Sequence, residues 1–183
     1  MNLANRLTVA RLVCIPFIMI CLTVDTPFTR WAAMAIFIIA SVTDFFDGII
    51  ARSRNEITVL GKFLDPLADK ALVCTVLVYM VNEQLCDPIV LIVVLIREFI
   101  VSGVRMAAVS DGKVVAANLF GKAKTLFQMV ALATILGLRA LLPQWSGLQM
   151  LSQVCCWIIA VLTALSGWTY VWDNREVFKE GNA

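Results

Sequence analysis

Residues 44–69 read DFFDGIIARSRNEITVLGKFLDPLAD, setting four aspartates and two glycines at fixed spacing in a chain that is otherwise strongly apolar. An ionised carboxylate near a bilayer core costs about 2.5–3.5 kcal/mol on insertion scales, so four of them need a compensating partner. Asp44 and Asp47 stand three residues apart, Asp65 and Asp69 four apart, so on helices each pair shares a face. Two adjacent helices then offer two pairs of hard oxygen ligands toward one another. A pair of divalent cations, Mg²⁺ or Mn²⁺, suits that donor set better than softer metals. Gly48 and Gly61 lack a Cβ and permit close backbone approach to a ligand between the helices. Arg52, about one turn after Gly48, is suited to a bidentate grip on phosphate. Pro66 is expected in the first turn of its helix or at a mild kink.

Outward from this segment the chain is apolar almost throughout. Of 183 residues 61% are hydrophobic and 15% charged, and the mean hydropathy is +0.88, which is too apolar for a water-soluble domain of this size. A hydrocarbon core needs about 20 helical residues per crossing. Six segments satisfy this, at approximately 7–24, 31–51, 63–82, 88–106, 116–138 and 148–172. The expected architecture is an all-α integral membrane protein, one domain over 1–183, with six transmembrane helices. The first segment carries Arg6 and Arg11 and has no small-residue cleavage site, so it reads as a retained helix and not a signal peptide. No internal repeat is evident, which counts against transporters built from duplicated halves.

The net charge of +2 matters less than where the basic residues fall. Arg6, Arg11, Arg52, Arg54, Lys62, Lys70, Arg105, Lys113, Lys122, Lys124, Arg175 and Lys179 collect at one side, against Arg30 and Arg139 at the other, with Arg97 inside a span. The positive-inside rule then turns both termini and the aspartate segment toward the cytoplasm of the inner membrane. No nucleic-acid partner is expected; the lipid bilayer is. The six cysteines lie mostly in apolar spans without CxxC spacing and read as small buried hydrophobes. Histidine is absent, which excludes Ser-His triads and His-ligated zinc and leaves proton transfer to Asp, Glu, Lys or Tyr.

Two competing readings of the acids are weaker. A surface ion-pair belt with Arg52, Arg54, Lys62 and Lys70 does not require four acids on two facing stripes. A metal-binding membrane transporter would need acids along a through-path, yet beyond this cluster only Arg97 and Glu98 stand at depth.

The run Asp44-x-x-Asp47-Gly48-x-x-Ala51-Arg52, eight residues, Gly61-x-x-x-Asp65-x-x-x-Asp69 resembles the signature of the CDP-alcohol phosphatidyltransferases, with every position filled. The resemblance extends over the whole chain and implies their six-helix fold, a binuclear metal site and a homodimer. It implies that Asp44 and Asp65 touch both ions, Asp47 the first and Asp69 the second. It places Gly48, Ala51, Arg52 and Thr58 along the cytidine diphosphate of CDP-diacylglycerol, with Gly61 at the entrance of the second stripe. It makes Asp69 also the general base toward the attacking hydroxyl. Asn5 and Thr8, in a segment like the start of family members, would cap the nucleotide pocket.

For the acceptor, REF at 97–99 and GKAKT at 121–125 look like the branch that makes phosphatidylglycerophosphate. The expected reaction is transfer of the phosphatidyl group from CDP-diacylglycerol to sn-glycerol 3-phosphate, releasing CMP. An anionic acceptor calls for a cationic cluster, and Arg97, Arg105, Lys122 and Lys124 are its candidates. At that depth Arg97 must face a polar cavity or a buried acid, and the cavity is favoured over a purely structural pairing because Glu98 should point about 100° away around the helix. Phosphatidylglycerol, serine or inositol phosphate as acceptor are the alternatives within the same family.

Overall fold

The computed structural model describes residues 3–54, 59–110 and 119–175, with the backbone alone at 3–7, 44–54, 59–67, 69, 106–110, 119, 120 and 122. Over these residues the chain forms helices α1 (Leu3–Val24), α2 (Pro27–Arg54), α3 (Val59–Asn82), α4 (Pro88–Ser110), α5 (Leu119–Leu141) and α6 (Gly147–Asp173), and no strand. Each matches one of the six expected apolar segments to within a few residues. Pro66 falls in the third turn of α3 and not the first, so it frees the carbonyl of Lys62 inside the helix.

Local chemistry sets the turns at the end remote from the aspartates. Between α1 and α2, Asp25 adopts a left-handed φ of 49°, which the short Asp side chain tolerates. Thr26 then caps α2 reciprocally with Thr29: the Thr29 N–H donates to Thr26 Oγ1 at 3.2 Å and the Thr26 N–H to Thr29 Oγ1 at 2.8 Å. Pro27 takes the first helical position, where no N–H is needed. Helix α3 stops in a Schellman turn at Gln84, whose φ is 58°. There Leu85 N–H donates to Met80 O at 2.8 Å and Gln84 N–H to Val81 O at 3.1 Å. Asp87 caps α4 through Oδ1, which accepts from Ile89 N–H at 2.8 Å, with Pro88 next in line. Gln153 of α6 donates to Gln84 O at 3.0 Å and ties α6 to this turn.

Among the described residues the helices pack as a ring in the order α1, α2, α5, α6, α4, α3, with α3 returning to α1. The two acid-bearing helices α2 and α3 both lie against α1 and touch each other only slightly. Phe37, Leu72, Leu77, Met80, Leu132, Ile135 and Ile159 fill the core. The outside is also apolar: Phe99 is 73% and Trp168 70% exposed. Ala123–Leu141 and Gly147–Asp173 are each long and apolar enough to cross a membrane, yet only 39% and 33% of their apolar windows are buried in the bundle. A core helix of a soluble protein would be mostly covered, so these two indicate a membrane protein. Among the described residues only these two of the six meet that test; α1, α2 and α3 offer the shorter apolar stretches Thr8–Val24, Pro27–Thr43 and Lys70–Asn82. Against lipid, burial of grease supplies little association energy. Close packing and interhelical polar contacts must hold such a bundle together.

Candidate active site

Asp44 and Asp47 lie on the last turns of α2, followed there by Gly48, Ala51 and Arg52, while Gly61, Asp65 and Asp69 lie on the first half of α3. The helical register expected for both acid pairs is therefore present in the backbone, and it brings them to neighbouring helices on either side of α1. The side chains at these positions, and those of Asn5 and Lys122, fall outside the described set, and Thr58 lies outside the described residues. The donor chemistry fits hard divalent cations: four carboxylates from two consecutive helices in a chain without histidine. Among the described residues, which leave out these four side chains, no group of three or more possible metal ligands occurs.

On α1, Thr8 and Arg11 are 1% and 3% exposed. They stand one turn apart on the face packed into the bundle, against the two acid-bearing helices. Arg11, one of the basic residues at that side of the chain, is an interior cation.

The largest departure from expectation is at Glu98. Its carboxylate Oε1 accepts from Lys124 Nζ at 2.9 Å and from Arg97 NH1 at 2.9 Å. Its Oε2 lies 3.8 Å from Lys70 Nζ. Lys70 also donates to the Glu98 carbonyl at 3.1 Å and hydrogen-bonds to Ser102 Oγ, which itself donates to the Glu98 carbonyl at 2.6 Å. Arg97 completes the cluster with NH2 donating to Ser166 Oγ at 2.9 Å. One carboxylate therefore gathers cations from α3, α4 and α5, and its arginine reaches α6.

The cavity-facing orientation expected for Arg97 gives way to pairing with an acid: its long side chain curls back to the neighbouring Glu98. Two glycines make that possible. A Cβ at Gly121 would stand 3.4 Å from Arg97 NH2, and one at Gly167 would stand 3.0 Å from Arg97 Cγ. Lys124 is almost fully buried, while Arg105, two turns beyond Glu98 on α4, is exposed. The structure thus brings Arg97 and Lys124 together and leaves Arg105 at the rim. Sequence reasoning missed Glu98, Lys70, Ser102 and Ser166. An acid at mid-span beside an arginine was the available signal, since buried charges are retained only when paired.

A second polar cluster stands at the remote end. Arg30 grips Asp25 by two parallel bonds of 2.8 and 2.9 Å, and Arg139 NH2 reaches Asp25 Oδ2 at 3.3 Å and Glu83 Oε2 at 2.6 Å. The Arg139 guanidinium also lies over the Tyr79 ring, 5.1 Å from its centroid. Hydrogen bonding from Arg30, with Arg139 adding its charge, holds the Asp25 carboxyl below the ordinary carboxylate range against the opposing effect of burial.

Residues 1–166 match the CDP-alcohol phosphatidyltransferase family. The chain is 38% identical to a CDP-diacylglycerol–glycerol-3-phosphate 3-phosphatidyltransferase of Bacillus subtilis (strain 168), with 99% of each chain covered. A protein of the same name from Rickettsia bellii (strain RML369-C) is 39% identical, with 97% of each covered. The one from Escherichia coli (strain K12) is 35% identical, with 93% of each covered.

Proposed function

The chain belongs to the CDP-alcohol phosphatidyltransferase family, and from that premise we propose that it transfers the phosphatidyl group of CDP-diacylglycerol to sn-glycerol 3-phosphate, giving phosphatidylglycerophosphate and CMP. The observation that carries this is similarity at 35–39% identity over nearly the full length of relatives named for that reaction.

Asp44, Asp47, Asp65 and Asp69 would hold two divalent cations, Mg²⁺ or Mn²⁺. When bound, these supply neutralisation of the pyrophosphate and of the charge on departing CMP. Gly48, Ala51, Arg52, Thr58 and Gly61 line the cytidine diphosphate, with Asn5 and Thr8 closing it from α1. Buried Thr8 supports that side of the assignment. Asp69 takes the proton from a free hydroxyl of glycerol 3-phosphate as that oxygen bonds to the lipid-linked phosphorus. The bond from that phosphorus to the CMP oxygen breaks, and no covalent enzyme intermediate forms. Arg97, Arg105, Lys122 and Lys124 attract the acceptor phosphate. The burial of Lys124 and Arg97 in one cluster beside α3 supports a cationic floor there, and Arg105 at the rim supports an entrance.

The whole chain forms one catalytic domain spanning the inner membrane six times as a homodimer, both termini and the aspartates facing the cytoplasm. The apolar exterior and the concentration of basic residues at one side support that topology.

The test is CMP release from CDP-diacylglycerol by the purified protein in detergent. Release should require glycerol 3-phosphate and a divalent cation and cease with EDTA. No metal-dependent release with any acceptor would remove the enzyme reading. Release with serine but not glycerol 3-phosphate would keep the family and overturn the acceptor.

A further inference from the structure

We propose that Glu98 is a positioning residue for the acceptor: its carboxylate presets the Lys124 ammonium and the Arg97 guanidinium, and its backbone carbonyl anchors the lysine that follows Asp69. The inference rests on the acceptor reading above and adds to it a residue that touches neither substrate.

Three observations carry it. First, Lys124 and Arg97 come from different helices and share one oxygen, Glu98 Oε1, each at 2.9 Å. Two cations brought that close repel one another unless an anion lies between them, so their spacing is set by Glu98. Second, both are long side chains that would otherwise sample many rotamers, and ordering them before the acceptor arrives removes that cost from binding. Arg97 is fixed further by the Ser166 hydroxyl and by the slot that Gly121 and Gly167 leave open. Third, Lys70 donates to the Glu98 carbonyl at 3.1 Å and to Ser102, and it is the residue after Asp69. The stretch of α4 that orients the acceptor cations thus also holds the lysine next to Asp69. Orientation of this kind is where small displacements are most costly to a reaction.

The experiment compares the unsubstituted enzyme with Glu98→Gln, which keeps size and the carbonyl but removes the charge. Apparent KM is measured separately for glycerol 3-phosphate and CDP-diacylglycerol in mixed micelles, alongside the thermal midpoint. The expected result is a rise of about tenfold in KM for glycerol 3-phosphate, the scale of a lost charge-assisted hydrogen bond. KM for CDP-diacylglycerol should stay within about twofold. Ser166→Ala, which removes a hydroxyl whose hydrogen bond among the described residues is to Arg97, should give the same split at about two- to fivefold.

An unchanged KM in active Glu98→Gln enzyme overturns the proposal. So does a lower KM, which would make Glu98 a competitor of the acceptor phosphate, and so does a lowered midpoint with both KM values moved alike, which would make it a structural clasp. If Glu98→Gln cannot be recovered folded, Ser166→Ala and Gly167→Ala decide: the split in both supports the proposal and its absence from both overturns it. An unsubstituted enzyme indifferent to glycerol 3-phosphate would instead sink the acceptor reading, and this inference with it.

Discussion

At the end of the bundle holding Asp25 and Arg139, charges sit where helices stop; around Glu98, at mid-span, they sit within the helices themselves. Asp25, Arg30, Glu83 and Arg139 come from turns and terminal residues, two acids against two bases, and they line a cavity of about 320 Å³ beside caps that are already satisfied. Glu98, Lys70, Arg97 and Lys124 come from helix interiors and place three cations around one described carboxylate. Matched pairs at a rim hold turns together and leave little for a ligand to gain. Interior charges are costly to retain and orient side chains at depth, which is what a charged substrate needs.

Four substitutions sharpen or break that contrast. The largest effect is expected for Asp69→Asn, which removes the base but leaves three carboxylates: turnover should fall at least about a hundredfold, while metal-dependent binding of CDP-diacylglycerol largely persists in a ligand-retention assay. Wild-type turnover would take Asp69 out of the chemistry. Next is Lys124→Ala. It strips Glu98 of a buried partner, so a loss of about 3 kcal/mol in detergent unfolding should accompany a rise of about tenfold in KM for glycerol 3-phosphate. Lowered stability with an unchanged KM would return Lys124 to a structural role.

At the other end Arg139→Ala should cost only about 1 kcal/mol, because its partners are partly solvated, and should leave both KM values alone. A raised KM there would erase the distinction between the ends. The smallest effect is a pH effect at Asp25. Its folded-state pKa is depressed, so its stabilisation is fully present above the ordinary Asp value near 4 and is lost as pH falls through the lowered one. With the carboxylate about a third exposed, the loss should amount to a few tenths of a kcal/mol. Thermal melts between about pH 5 and 3 should show a decline that Asp25→Asn flattens.

What could be foreseen from the chain divides along the same line. Helix number and approximate bounds were legible because apolar runs of about 20 residues separated by Pro, Asp and Thr leave few alternatives. The shared helix faces of Asp44 with Asp47 and of Asp65 with Asp69 were legible because helical spacing alone sets them. The Glu98 cluster was not, because it joins residues up to 69 positions apart. The helix-wheel argument failed at Arg97 because it follows Cβ directions, whereas a guanidinium swings several ångströms from its Cβ. The Thr26–Thr29 cap is a short-range device, yet threonine at the third helical position is a weak sign where Glu or Gln is the usual partner.

The ring order has a consequence for how the protein is made. Helices leave the ribosome in sequence, but α2 meets α5 and α4 meets α6, so closure waits for the last third of the chain. A nascent chain that has reached the end of α4 already contains every aspartate of the signature, and its Glu98 can find Arg97 and Lys70. Lys124 and Ser166 have not yet been translated. The whole signature is therefore encoded early while two partners of the Glu98 cluster come late, so premature termination after α4 leaves a fragment with every signature aspartate and an unfinished cluster.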